Sequence, residues 1–289
     1  NQTYARISIC NLEEEYLGEF WPPNDDAVKF KNPTSIALDS QDHLYVADQG
    51  HHQILIFDLS GKFLGKWGAF GSSPGHMNGP SGIAFDSEDN LYIVDNLNNR
   101  VQKFTADGQY LGHWGEQGSG DGQFNLPWGV TVDSDGEVYV ADWRNDRIQK
   151  FSPEGKFLNK FGKPGTGNAH FSRPSDVAVD GDGYMYISDW GNQRVQVLGS
   201  DGSFQKELKG QATLSKWAEE FFAANPDETE TRAMANLFPK LPSHFTSPYD
   251  LSSHVEAYFW GPASVNLDTD GRLYVCETNR HRIQVYQTG

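Results

Sequence analysis

The sequence predicts an all-β chain folded as a β-propeller, one four-stranded blade repeated around an axis, and three observations carry that prediction. Prolines stand at 33, 80, 127 and 174, each 47 residues after the last, and the next of the series stands at 262, 41 residues beyond the place the period assigns it. The same segment follows each proline: PTSIALDSQDHLYVAD, PSGIAFDSEDNLYIVD, PWGVTVDSDGEVYVAD, PSDVAVDGDGYMYISD and PASVNLDTDGRLYVCE. Thirty glycines and 13% aromatic residues suit stacked sheets joined by tight turns.

The repeat from Pro127 to Arg173 justifies the elements of one blade. Gly129 to Val132 alternates small and apolar residues, as an inner strand does. Asp133-Ser134-Asp135-Gly136 is a turn, Asp bonding its own backbone and Gly supplying positive φ. Val138 to Ala141 is the second strand, Arg147 to Phe151 the third and Phe157 to Phe161 the fourth, with Pro153-Glu154-Gly155-Lys156 turning the chain between the last two. A glycine-rich crossover, Gly162 to Ser172, leads to the next blade. Phe30, Met77, Phe124, Phe171 and Phe259 stand three residues before each proline and are expected to wedge between blades. Asp48, Asp95, Asp142, Asp189 and Glu277 close the second strands, and Arg100, Arg147, Arg194 and Arg282 follow the last four by five residues, a spacing that predicts one structural ion pair per blade; Gln53 stands there in the first repeat.

At the start, Asn1 to Ile7 aligns with Asp142 to Ile148, so Arg6 to Cys10 and Tyr16 to Phe20 are expected to be third and fourth strands. The chain thus begins in mid-repeat, while Pro262 to Tyr286 supplies three strands. A six-bladed ring whose first blade lacks its inner strands in this chain is the expectation. In the alternative five-bladed closure, the last three strands pair with Tyr16 to Phe20. Residues 1–289 form one domain, with an insertion at 211–261. There Ser215 caps a helix through Trp217 and Phe222, Pro226 breaks it, and a second helical stretch follows Asp227 and carries Met234, Leu237 and Phe238. Replacing a crossover, the insertion must emerge on the face that carries the loops after the second strands.

These repeats resemble the NHL family in the runs Asn98-Asn99-Arg100-Val101, Asn145-Asp146-Arg147-Ile148, Asn192-Gln193-Arg194-Val195 and Asn279-Arg280-His281-Arg282-Ile283, in the Pro-x-x-[Ile/Val] blade starts, and in Gly122-Gln123-Phe124. The likeness spans about 85% of the chain, everything but the insertion. It implies protein-binding platforms, RNA-binding platforms, sensors and, less often, enzymes.

A net charge of −16 argues against a nucleic-acid partner, since Lys and Arg are scattered rather than gathered on one face. Two cysteines make no disulfide framework, and Cys10 and Cys276 are expected to be buried free thiols. No apolar run is long enough to span a membrane, and the sequence leaves the compartment and the oligomeric state open. A protein partner is expected at the loop face, through Trp128, Trp143, Arg144, Trp190, His51 and Trp217, because large aromatics in surface loops make good anchors. No cofactor is expected. The alternative is a metal-dependent lyase or hydrolase, lactonase-like, with calcium or zinc in the axial channel under the insertion. The nine histidines offer no axial triad for zinc, Asp39, Asp86, Asp133, Asp180 and Asp268 sit in turns, and Asp176, the one charge at its inner-strand position, is the weak candidate ligand.

Overall fold

The computed structural model describes residues 6–13, 15–21 and 29–288, the side chain of Trp217 excepted. A two-stranded sheet comes first, β1 (Ile7–Cys10) and β2 (Tyr16–Phe20). Five blades follow. The first is β3 (Pro33–Leu38), β4 (Leu44–Asp48), β5 (Gln53–Phe57) and β6 (Phe63–Trp67), and the second is β7 (Pro80–Phe85), β8 (Asn90–Asp95), β9 (Arg100–Thr105) and β10 (Tyr110–Trp114). The third is β11 (Val130–Val132), β12 (Val138–Asp142), β13 (Arg147–Phe151) and β14 (Phe157–Phe161), and the fourth is β15 (Pro174–Val179), β16 (Met185–Asp189), β17 (Arg194–Leu198) and β18 (Phe204–Leu208). The fifth has three strands, β19 (Pro262–Leu267), β20 (Arg272–Glu277) and β21 (Arg282–Gln287). Every sheet is antiparallel with neighbours in chain order, as short turns require.

The elements form for the reasons their sequences give. Asp133 Oδ1 accepts hydrogen bonds from the amides of Asp135 (3.0 Å) and Glu137 (2.8 Å), and Asp39, Asp86, Asp180 and Asp268 accept from the amides two and four residues on in the same way. These carboxylates are turn formers. Phe30, Met77, Phe124, Phe171 and Phe259 are all buried, each in a cluster shared by the sheets on its two sides. Burying one such side chain is worth roughly 2–3 kcal/mol, so the wedges hold neighbouring blades at fixed rotation.

Inner strands lie close together around the axis, β3 against β7, β7 against β11, β11 against β15 and β15 against β19. The Gly82 amide donates to the Trp128 carbonyl at 2.8 Å. A Cβ on Gly82 would meet that carbonyl at 2.7 Å, and one on Gly129 would meet the Ser175 carbonyl at 2.7 Å. Glycine stands at both positions because backbone approaches backbone there.

The pairing of β1 with β2 copies that of β13 with β14 residue for residue: Ile7 faces Phe20 as Ile148 faces Phe161, and the register shifts before Cys10 as it does before Phe151. The Phe20 ring lies over Gly61 as Trp67 lies over Gly108 and Trp114 over Gly155. The first sheet thus repeats the geometry of a blade's outer two strands. β2 pairs with β1 and not with β21, so the pairing required by the alternative five-bladed closure is not made. The alignment of Asn1 to Ala5 lies outside the described residues.

The insertion carries three helices, α1 (Lys216–Ala224), α2 (Pro226–Met234) and α3 (Pro248–His254). Ser215 caps α1, its Oγ accepting from the Ala218 amide at 3.3 Å. α1 ends at Ala224, so the helix breaks ahead of Pro226 as expected, and Pro226 is itself the first residue of α2, where proline forfeits no helical hydrogen bond. α2 ends at Met234, before Leu237 and Phe238. α3 was not foreseen, although Ser247 ahead of Pro248, with Asp250 following, is a start signal: Ser247 Oγ accepts from the Asp250 amide at 3.1 Å. The two thiols also differ from expectation. Cys10 and Cys276 are exposed, because the sheet faces that carry them have no neighbouring sheet among the described residues. No helix among the described residues is long and apolar enough to cross a membrane.

Candidate binding face and axial channel

The loop face is built on the repeated ion pair. In the third blade Asp142 is fully buried; its Oδ2 accepts from Arg147 Nε (2.8 Å), Asn145 Nδ2 (2.9 Å) and Gln149 Nε2 (3.1 Å), and its Oδ1 accepts from the Asn125 amide (2.8 Å). Arg147 continues outward, donating to the carbonyls of Ser119, Gly120 and Gln123 in the crossover that enters its own blade. Asp95 with Arg100, Asp189 with Arg194 and Glu277 with Arg282 repeat the pattern. Burial pushes the Asp142 and Asp189 carboxyls above their ordinary value, against the pull of the hydrogen bonds they accept. The pairs are structural clasps, as their repetition predicts.

Each clasp fixes the turn that follows its aspartate. Trp143–Asn145 and Trp190–Asn192 are single turns of 3-10 helix, and they bring the rings of Trp143 and Trp190 to 6.4 Å at 56°. Two guanidinium groups lie over Trp143, Arg144 at 5.4 Å and Arg173 at 5.2 Å. Both tryptophans are half-buried, and Arg144 and Arg173 are exposed. Sequence reasoning found three of these four; Arg173 was passed over because nothing in its own blade start singles it out. Trp128 is half-buried at the entry of the third blade, its amide donating to the Ala141 carbonyl, and no described ring contact joins it to Trp143 or Trp190.

His51 has a structural partner. Its Nδ1 lies 2.8 Å from Asp48 Oδ2, at the repeat position where Asn98, Asn145 and Asn192 bond their own aspartates. It thus clasps Asp48 in the blade where Gln53 replaces Arg. Trp217 lies on α1, whose Lys216 Nζ reaches Glu15 at 3.0 Å, beyond β1; its side chain is outside the described residues. It is α3 that packs on the Trp190 turn. Arg280 secures it: standing where the second, third and fourth blades have asparagine, it donates to the carbonyls of Ser252 (2.6 Å), Val255 (2.9 Å) and Tyr258 (3.3 Å), and its guanidinium lies 5.7 Å from the Trp260 ring. Asn279 stands one residue ahead of the repeat's asparagine position, and Arg280, a longer donor, takes that position and ties down the insertion.

On the inner strand β15, Asp176 is half-buried, its carboxyl enclosed by protein. Its Oδ1 accepts from the Val177 amide (3.0 Å) and its Oδ2 from the Val265 amide of the next blade (3.2 Å). Burial pushes its pKa up to about 7. On the opposite face Asp39, Asp86 and Asp133 rim an open hollow of about 440 Å³ floored by Leu38, Phe85 and Val132. Among the described residues no three His, Cys, Asp or Glu side chains converge as metal ligands.

The family model described as the NHL repeat matches residues 124–151, 171–198 and 259–286, and one described as a 6-bladed beta-propeller matches residues 24–126. No curated protein matches the sequence. Among solved structures, a streptogramin B lyase is 16% identical with a TM-score of 0.58 over 98% of this chain and 76% of its own. A virginiamycin B lyase from Staphylococcus aureus is 14% identical with a TM-score of 0.55 over 93% and 73%. A protein of unknown function from Bacteroides thetaiotaomicron is 19% identical with a TM-score of 0.62 over 98% and 64%. At such identities the likeness speaks for the fold alone. Repeat spacing, clasp geometry and family models agree, and the chain belongs to the NHL-repeat β-propellers.

Proposed function

We propose that the loop face is a protein-binding surface and that the chain serves as a non-enzymatic binding or assembly module. The observation that carries this reading is the Trp143–Trp190 pair, half-exposed, fixed from below by two buried clasps and flanked by Arg144 and Arg173. Rigid aromatics beside arginine are what an interface centre uses. In a chain of net charge −16 these arginines form a local positive site, which suits a partner that offers an apolar side chain next to a carboxylate. Trp128 and His51 are secondary candidates on the same face, and α3 forms the wall beside Trp190; Trp217 is carried by α1, whose Lys216 reaches Glu15 in the β1–β2 turn, at the other end of the strands.

The test is comparative retention. Immobilised protein and the double variant Trp143→Ala/Trp190→Ala are exposed to the same extract, and retained proteins are identified by mass spectrometry. A species held by the parent and lost by the variant, with circular dichroism and Tm unchanged, supports the reading. Identical retention by both sinks it.

A second reading, a metal-dependent lyase or hydrolase with its site in the axial channel, rests on Asp176, a carboxyl held between inner strands by the Val177 and Val265 amides and with a raised pKa. Metal content of protein purified without chelator, followed by a stoichiometric rebinding titration in Asp176→Asn, separates the two. We also read the ring as six-bladed, β1 and β2 being the outer half of one blade; the family model described as six-bladed supports this count.

A further inference from the structure

Each blade buries the same residues against its neighbours, so an exposed residue at one of those positions marks a missing neighbour. On the inner strands Ile83, Val130, Val177 and Val265 face the preceding blade and are 1–6% exposed, but Ile36, at the same position in β3, is 52% exposed, with Leu38 beside it at 49%. On the third strands Ile54, Val101, Ile148 and Val195 face the following blade and are fully buried, but Ile283, at the same position in β21, is 64% exposed, with Val285 beside it at 52%. Cys276, where Ala47 and Ala141 are fully buried, opens on the same side. Burial by its own sheet nevertheless pushes its thiol pKa up. Between these two apolar walls, β1 pairs only with β2, leaving its inner edge without a strand among the described residues. Arg6, at the clasp position, has a side chain 50% exposed where those of Arg100, Arg147 and Arg194 are 7–8% exposed.

We propose that this slot between the fifth blade and the first is a binding site for one β-hairpin of the repeat's own first-and-second-strand type. That hairpin adds its second strand to the free edge of β1, and its apolar faces cover Ile36 on one side and Ile283 with Cys276 on the other. The occupant is argued from continuity with interfaces already made. The walls repeat the surfaces that grip β7–β8, β11–β12 and β15–β16, and the outer half of the blade is already in place in the right register. An unpaired strand edge between two apolar walls accepts a strand, since strand addition satisfies its amides and carbonyls while the pockets select alternate side chains. The proposal rests on the six-blade reading and not on the loop-face reading, so retention at Trp143 and hairpin binding fail or succeed separately.

The probe is the chain's own hairpin sequence, Pro80 to Asp95, used in two forms in a Cys10→Ser background. One form is a free peptide. The other is spliced ahead of Asn1 through a short Gly/Ser linker, where the effective concentration is of the order of millimolar. Cys276 is the reporter. Either form is expected to slow its alkylation by a maleimide at least tenfold and to raise Tm, while a control peptide of outer strands, Arg100 to Trp114, changes neither. If neither form alters alkylation or Tm, the slot is not a hairpin site. Cys276 protection that rises with protein concentration alone, accompanied by dimer in sedimentation, overturns the proposal in favour of a second copy as occupant.

Discussion

Replacing Arg147 by alanine removes the centre of a clasp, and its cost follows from the atoms it touches. The side chain is 7% exposed and pairs with a fully buried Asp142 at 2.8 Å. Three carbonyls lose their donor with it, but Ser119 and Gly120 are exposed and water replaces the arginine there, and Gln123 keeps the Gln149 amide at 2.8 Å. The remaining penalty is the uncompensated carboxylate. Breaking a buried pair costs roughly 3–5 kcal/mol. The Asn145, Gln149 and Asn125 donors still hold Asp142, so Arg147→Ala is expected at the low end, about 3 kcal/mol by that range. The first blade supplies a rescue, since it meets its aspartate with His51 and a glutamine. Arg147→Gln combined with Asn145→His imports that arrangement and is expected to recover about half of the loss, because a charge-assisted hydrogen bond is worth roughly 1.5–3 kcal/mol. The assay is urea unfolding with the slope checked for constancy. Lys160→Ala is the control, breaking a pair in which both side chains are 50% exposed and which contributes under about 1 kcal/mol. If Arg147→Ala costs no more than Lys160→Ala, the clasp does not hold the blade and the reasoning is wrong.

Two other perturbations test the axis and the insertion. Asp176 has a folded pKa of about 7 against an ordinary 3.8, so the fold holds a proton that the unfolded chain has released; its contribution is full below about pH 4 and declines as pH rises to 7. Asp176→Asn abolishes that decline, and the stability of the variant minus that of the parent is expected to grow between pH 4 and pH 7 and to flatten above; a difference that does not move with pH refutes the assignment. Arg280→Ala releases three carbonyls near α3, and limited proteolysis within residues 211–258 is expected to speed up several-fold while the Tm of the ring falls by little, whereas unchanged cleavage would show that other contacts secure the insertion.

Much of the ring was legible because a repeat tests itself: five copies of one segment placed the turns at Asp39, Asp86, Asp133, Asp180 and Asp268 and the wedges at Phe124 and Phe171 without any pairing information. The clasp was legible for the same reason. What the sequence concealed lay where one copy departs from the rest. His51 reads as a loop aromatic until its distance to Asp48 is known, and Arg280 reads as a slipped asparagine until the Ser252 carbonyl is placed beside it. Cys276 occupies a position that is core in every other blade, so its exposure depends on which sheets are neighbours, a long-range fact that no local pattern contains. The Trp143–Trp190 pair was visible as a shared repeat position, but the arrival of Arg173 over the same ring depends on the geometry of adjacent blades.

The clasp also governs where such a chain tolerates new sequence. Arg282 reaches back to the carbonyls of Glu256 and Tyr258, as Arg100 reaches back to those of Ser73 and His76, so the 41 additional residues end where the gripped stretch of crossover begins. A crossover is thus two segments in series: a free upstream part, and a downstream part of set length that the arginine gauges. Foreign domains spliced upstream of the gauged part, in any of the blades that carry the arginine, would be carried on one face of the ring with no change in blade register, which makes these crossovers the natural grafting points for turning the molecule into a display scaffold.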